Sequence, residues 1–167
     1  MRLNPKPDLI EHLPRLRRYA RALTGDVARA DDLVQDTLER ALAKLELWQP
    51  GSDLRAWLFT LMHNLFVNQL RTRRPQDTTL DEALDIPVSG GQMEALAARD
   101  MHAALARLSD DQREVILLVG LEQFSYAEAA QVLGVPAGTV MSRLARARER
   151  MRQMLAGVPA VQLKVVK

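Results

Sequence analysis

Apolar residues recur along this chain at intervals of three and four, the repeat of one helix face, and strand-like alternation is hard to find. Glycine and proline interrupt that pattern in only a few places. The spacing predicts helices over 8–24, 30–47, 53–73, 93–107, 111–120, 126–133 and 137–155. Asp31 and Asp32 are read as the start of the second, and Ser52 or Asp53 as the cap of the third. Ser109 with Asp110 opens the fifth and Ser125 the sixth. The expected fold class is all-α.

One stretch breaks the pattern. "RPQDTTLDEALDIPVSGGQ" begins and ends in turn formers and carries Asp77, Asp81, Glu82 and Asp85 with no base after Arg74. It predicts a flexible acidic linker over 75–92 between two small helical domains, 1–74 and 93–156. A short helical turn near Leu80 to Leu84 fits inside it, and a long surface loop within one bundle is the alternative. The tail 157–167, "AGVPAVQLKVVK" with Ala156, contains Gly157 and Pro159 and is expected to lie outside the last helix.

The final helix is the most ordered pattern in the chain. Val140, Leu144, Ala147, Met151 and Met154 follow steps of four, three, four and three, which makes one buried stripe. Ser142, Ala145, Arg146, Glu149 and Gln153 fall opposite, flanked by Arg143 and Arg150. Such a charge run is usually a solvated face. Here small residues at 142 and 145 let the backbone approach a groove wall, with arginines beside them that reach base edges or phosphates. Upstream, "SYAEAAQVLGVPAGTV" supplies a preceding helix, Gly134 at its end, and Ala129 and Ala130 where two crossing helices approach. The unit reads as a helix-turn-helix whose second helix enters the major groove by its N-terminal residues. Gly138 and Thr139 stand at its start, where backbone N–H groups can hold a phosphate.

In the first half, Leu33, Val34, Leu38, Leu42 and Leu45 are expected to pack inward. Asp32, Gln35, Asp36, Glu39 and Arg40 then form a mostly acidic outer face. In the helix from Asp53, Trp57, Asn64, Asn68 and Arg71 share one side, followed by Arg73 and Arg74. Carboxamides and arginines beside an aromatic suit single-stranded nucleic acid, in which bases stack, amides bond base edges and cations track phosphates. Trp57 itself reads more simply as a core residue.

Composition limits the alternatives. The chain has 167 residues, 47% hydrophobic and 26% charged, a formal net charge of +2 and a pI near 9.3, with aromatics at only 4%. That is globular, with a core of Leu, Ala, Val and Met. The absence of cysteine excludes disulfides, zinc–thiolate sites and a thiol nucleophile. The most apolar run, Val115 to Leu121, is too short to cross a bilayer, and the N-terminal segment lacks a signal-length apolar run. A soluble cytoplasmic protein without membrane insertion is expected. No G-x-x-x-x-G-K or H-E-x-x-H occurs, and His12, His63 and His102 are scattered singly, so neither an enzyme nor a cofactor or metal site is expected.

"LSDDQREVILLVGLEQFSYAEAAQVLGVPAGTVMSRLARARERM" resembles the σ4 domain of bacterial extracytoplasmic-function (ECF) sigma factors of the sigma-70 family. "ADDLVQDTLERALAKLELW" and "SDLRAWLFTLMHNLFVNQLRTRRP" resemble their σ2 domain. The resemblance implies a transcription initiation factor that takes core RNA polymerase to promoter −35 and −10 elements. It implies that Ser142, Arg143, Ala145 and Arg146 face the −35 DNA, with Arg148 near the backbone. Met141 stands where the family usually has lysine or arginine. It implies that Asn64 lies at a pocket for a flipped-out −10 base, with Trp48 and Gln49 in the loop completing it, and that the acidic face from Asp32 to Arg40 binds the β′ clamp helices. The β flap is the partner implied for σ4, and the acidic linker would thread polymerase near its active site.

"LIEHLPRLRRYARALTGDVARADDLVQDTLERA", with "GSDLRAWLFTLMHN" and "LSDDQREVILLVG", looks most like the EcfG-like general-stress group. Members of that group are held by an anti-sigma factor of the NepR type; other ECF groups answer to membrane-bound ones. A different reading is a sigma-like decoy, as in PhyR-type proteins, that captures an anti-sigma factor without reading a promoter. Arginines retained in the last helix argue against it, as does the lack of room for a phosphoreceiver domain.

Overall fold

In the computed structural model of the chain, residues 7–73 and 91–156 are described, and every regular element among them is helical. The expected turn at Leu80 to Leu84, most of the acidic linker and the tail 157–167 lie outside the described residues.

A 3-10 turn at Ile10–His12 leads into α1 (Leu13–Thr24), where Pro14 sits in the first turn, a position that has no N–H partner to lose. Gly25 ends α1 in the left-handed region, φ 70°, its N–H donating to the Arg21 carbonyl at 3.0 Å. Helix α2 (Val27–Ala43) starts almost at once, capped by Asp26, whose carboxylate accepts from the N–H groups of Ala28 and Arg29 at 2.8 and 3.3 Å. The expected start at Asp31 and Asp32 is therefore corrected by about one turn. Two acids in sequence resemble a first turn, but the cap belongs to the residue that follows the glycine stop.

A second correction concerns the other end of α2. The helix stops at Ala43 and gives way to a 3-10 turn at Leu45–Leu47, and Leu42, expected inside, is 62% exposed. Ala41 takes the inward place, and Leu42 is rotated about 100° from it. Helix α3 (Leu54–Thr72) is capped by Asp53, which accepts from Ala56 N–H at 3.2 Å.

The second half comprises α4 (Gln92–Ala106), α5 (Asp110–Ile116), a π-helical turn at Leu117–Leu121, α6 (Tyr126–Leu133) and α7 (Ala137–Leu155). Ser109 and Ser125 each form a reciprocal capping box, with Gln112 and Glu128 respectively. At the end of α6, Gly134 (φ 66°) and Val135 donate to the carbonyls of Gln131 and Ala130, a Schellman stop that aims the chain into α7.

The two halves share one apolar core. Leu16, Leu23, Leu33, Leu58, Phe59, Met62 and Phe66 of the first half are continuous with Val115, Leu118, Phe124, Val132, Val140 and Leu144 of the second. Helix α3 packs on α6, and α1 packs on the π-helical turn and α5. A smaller cluster of Ala104, Leu108, Ala147 and Met151 fastens α4 to α7.

Candidate nucleic-acid interface

Helix α7 is built as its pattern requires. Val140, Leu144, Ala147 and Met151 are buried against α4, α5 and α6, and Met154 is half-buried. Ser142, Ala145, Arg146, Arg148, Glu149 and Gln153 are exposed. Thr139 is half-buried in the first turn, and Pro136 precedes the helix without a side-chain cap, unlike the serines before α5 and α6. The first-turn N–H groups of α7 thus have no competing carboxylate or hydroxyl. Arg143 is half-buried and lies 3.8 Å from Asp111, so that cation is partly committed to α5. Glu149 is held by Arg152 at 2.6 Å.

An open groove of about 490 Å³ runs between α5 and α7, lined by Gln112, Ala145, Arg146, Glu149, Arg150 and Gln153. Sequence reasoning missed Gln112 here. Its signal was its place as the third residue after Ser109, the capping-box position whose side chain accepts from the Ser109 N–H at 3.4 Å.

Helix α3 presents Asn64, Asn68 and Arg71 to solvent, all exposed, while Trp57 is half-buried against the core, as its simpler reading expected. In the loop before α3, Gln49 is exposed and its carbonyl accepts from Ser52 Oγ at 2.6 Å. Trp48 is half-buried, and its Nε1 is enclosed without a hydrogen-bond partner. On α2, Asp32, Gln35, Asp36, Glu39 and Arg40 are all exposed. Gln69 of α3 donates to Asp36 at 3.4 Å and Gln35 donates to Glu39 at 3.2 Å, which steadies this acidic face.

What sequence reasoning did not foresee lies between the halves. Glu114 and Glu122 are both only 2% exposed. His63 Nδ1 is 2.7 Å from Glu114 Oε1, and Arg18 donates to Glu122 Oε1 at 3.2 Å. Arg55 donates to the Glu122 carbonyl at 3.0 Å, and its guanidinium stands 4.0 Å over the Phe124 ring. Phe124 meets Phe59 edge to face, and Phe59 meets Tyr19 likewise. Arg113 donates to the Leu23 carbonyl at the end of α1, and to the carbonyls of Leu105 and Leu108. Burial, with Glu114 and Glu122 nearby, holds the Tyr19 phenol well above its usual value, so it stays neutral. No group of three or more potential metal ligands occurs among the described residues, and no helix among them is long and apolar enough to cross a membrane.

Residues 9–63 match the family described as the Sigma2 domain of PhyR, and residues 98–151 match Sigma-70, region 4. The ECF RNA polymerase sigma factor EcfG of Rhodopseudomonas palustris is 43% identical over 90% of this chain and 84% of its own length. The chain belongs to the ECF sigma factors. A further relative, SigC of Mycobacterium tuberculosis, is 35% identical over 78% of this chain and 72% of its own. Among solved structures, the sigma factor RpoE of Bartonella quintana, in complex with the anti-sigma factor NepR, is 40% identical. It covers 91% of this chain and 96% of its own, with a TM-score of 0.75. CnrH, in complex with the cytosolic domain of CnrY, is 29% identical over 90% of this chain and 86% of its own, at 0.67.

The sigma factor is accordingly a promoter-specificity subunit of RNA polymerase and not an enzyme. Its all-α architecture, σ2 followed by a σ4 helix-turn-helix, is that of the family. The decoy reading gains little. PhyR of Bartonella quintana is 24% identical and this chain spans only 48% of its length, a likeness of fold alone.

Proposed function

We propose that this sigma factor reads the −35 element through Thr139, Ser142, Arg143, Ala145, Arg146 and Arg148. Asn64, Asn68 and Arg71, with Trp48 and Gln49 of the preceding loop, capture the melted −10 strand. The acidic face of Asp32, Gln35, Asp36, Glu39 and Arg40 docks on the β′ clamp helices, and σ4 docks on the β flap. One observation carries this reading most. The outer faces of α3 and α7 remain open to solvent even with the halves packed together, while their apolar faces are spent on the core.

The chemistry divides between the two surfaces. Arg146, beside the small Ser142 and Ala145, can reach a guanine edge bidentately, a contact worth about 1–3 kcal/mol of discrimination. Arg148 and the uncapped α7 N-terminus suit phosphates, which position the helix without reading sequence. On α3, carboxamides offer both donor and acceptor to an extruded base, offsetting the few kcal/mol that extrusion costs. The proposed division takes 1–74 as σ2 and 93–156 as σ4, with 75–92 as their tether, and contains the matched stretches 9–63 and 98–151.

The proposed partner and setting draw support from the relatives. The likeness to RpoE bound to NepR supports a cytoplasmic sigma factor restrained by a NepR-type anti-sigma factor, within a general stress response. Run-off transcription tests the core assignment. Core polymerase with and without this chain, on templates with a GGAAC-like −35 element, gains a defined start site only when the chain is added. No gain in start-site selectivity across a broad template library overturns it.

A further inference from the structure

Helix α7 divides its outer face into two edges of different chemistry. Ser142 is central, with Arg143 and Arg146 on one side and Met141 and Ala145, neighbours at i and i+4, on the other. Met141 is 50% exposed and belongs to neither apolar cluster of the fold, whereas Val140 beside it is fully buried. A single exposed apolar side chain is ordinary on a protein surface. This one stands near the N-terminus of the second helix of a helix-turn-helix, the part that meets base edges. Gly138 lies one turn before it on the same edge, and a Cβ there would meet nothing within 4 Å. Packing therefore does not demand a glycine at 138, and its missing side chain leaves Met141 open to a close approach.

The polar groups beside this edge are already partly committed. Ser142 Oγ donates to the Thr139 carbonyl at 3.1 Å. Its one proton is spent inside the helix, and only its lone pairs face outward. Glu149, a stronger acceptor on the same face, is engaged by Arg152 at 2.6 Å and by Gln153 at 3.3 Å. Toward a ligand, α7 thus presents an apolar edge, an acceptor and the Arg146 cation side by side.

Each base pair displays its own pattern in the major groove. Thymine alone carries a methyl group there, and the adenine opposite it offers an N6 amine as donor. An apolar edge next to an acceptor matches that pair, as the cation matches O6 and N7 of guanine. We propose that Met141 and Ser142 select a T·A base pair within the −35 element, with the thymine methyl seated on Met141 and Ala145 and the adenine amine donating to Ser142 Oγ. Met141 is unbranched and its thioether is polarizable, so it can follow the methyl without strain. Specificity at this pair then comes from lost contact with any other base, while Arg146 reads its guanine independently.

Holenzyme assembled from core polymerase and this chain, with synthetic duplex promoters, tests the inference. On a template with a GGAAC-like −35 element, each thymine of that element is replaced in turn by deoxyuridine, which deletes the methyl group alone. Competition binding is expected to find a thymine whose replacement weakens the wild type about fourfold, as one buried methyl group implies. Met141→Ala, at an exposed position, is expected to bring that ratio below about twofold. Ser142→Ala is expected to weaken the thymine template and its uracil counterpart alike, about fivefold. A wild type indifferent to uracil at every position overturns the proposal. So does Met141→Ala with the full ratio retained, or Ser142→Ala with binding unchanged. The inference rests on the reading of α7 as the −35 helix, and Arg146→Ala keeps the two apart. If Arg146→Ala relaxes the guanine preference while no thymine methyl is sensed, the T·A inference alone fails. If neither guanine nor any thymine methyl matters, the −35 reading fails with it.

Discussion

His63 Nδ1 of α3 lies 2.7 Å from Glu114 Oε1 of α5, joining two residues 51 positions apart at the boundary between σ2 and σ4. Neither is conspicuous in the sequence. Burial displaces the Glu114 carboxyl upward from its usual value, against the opposing bond from His63, with Asp111 and Asp110 adding to the rise.

That displacement has a sign. A carboxyl whose folded value is raised holds its proton longer in the native state than in the unfolded chain. Its contribution to stability is fully present below the unfolded value near 4.5 and is lost as pH rises through the folded value. Each unit of displacement is worth about 1.4 kcal/mol. Glu114→Gln keeps a hydrogen-bonding partner for His63 and does not titrate. Its denaturation midpoint should rise relative to wild type as pH climbs from 4.5, then run parallel. Parallel curves throughout the range would show that Glu114 does not titrate differently on folding.

Asn64→Ala removes the carboxamide proposed to meet a base edge on α3 while leaving the buried side of that helix intact. Initial promoter binding should change little, whereas open-complex formation, followed by permanganate reactivity of melted thymines, should fall about five- to tenfold, the worth of one hydrogen bond of about 1–1.4 kcal/mol. Equal open-complex yields would remove Asn64 from the −10 site.

Arg146 and Arg148 should separate cleanly. Arg146→Ala is expected to relax the −35 sequence preference, with a loss of about tenfold or more on the cognate element and little on scrambled ones. Arg148→Ala is expected to weaken all templates alike and to reduce the salt slope by about one. Met141, 50% exposed on the same helix, offers the converse: Met141→Arg adds a cation and should steepen the salt dependence by about one. Binding to labelled promoters by the holoenzyme, across salt and −35 variants, measures all three.

Asp26 caps α2 with two hydrogen bonds. Asp26→Ala should cost about 1 kcal/mol, lowering the melting temperature by about 2–4 °C, with transcription unaffected at low temperature. Calorimetry of the two proteins decides it.

Local chemistry was legible before any coordinates. The caps at Asp53, Ser109 and Ser125, the stop at Gly134 and the buried stripe of α7 are written in neighbours three or four residues apart, because a helix settles its own ends and faces within one turn. The exposed faces of α2, α3 and α7 were legible for the same reason. Asp26 was missed because two acids downstream imitate a first turn, and Leu42 because the neighbouring Ala41, about 100° around the helix, takes the inward place.

The sequence by itself determined the helices and their polar faces, since each depends on short-range periodicity, and the family resemblance of those segments pointed to promoter recognition. Only the tertiary structure decided that the halves share a core. The pairs that make that seam, Arg18 with Glu122 and Arg55 with Phe124, join residues 104 and 69 positions apart. A charge on a helix looks the same in sequence whether water or another half of the molecule will surround it, and only packing removes the water.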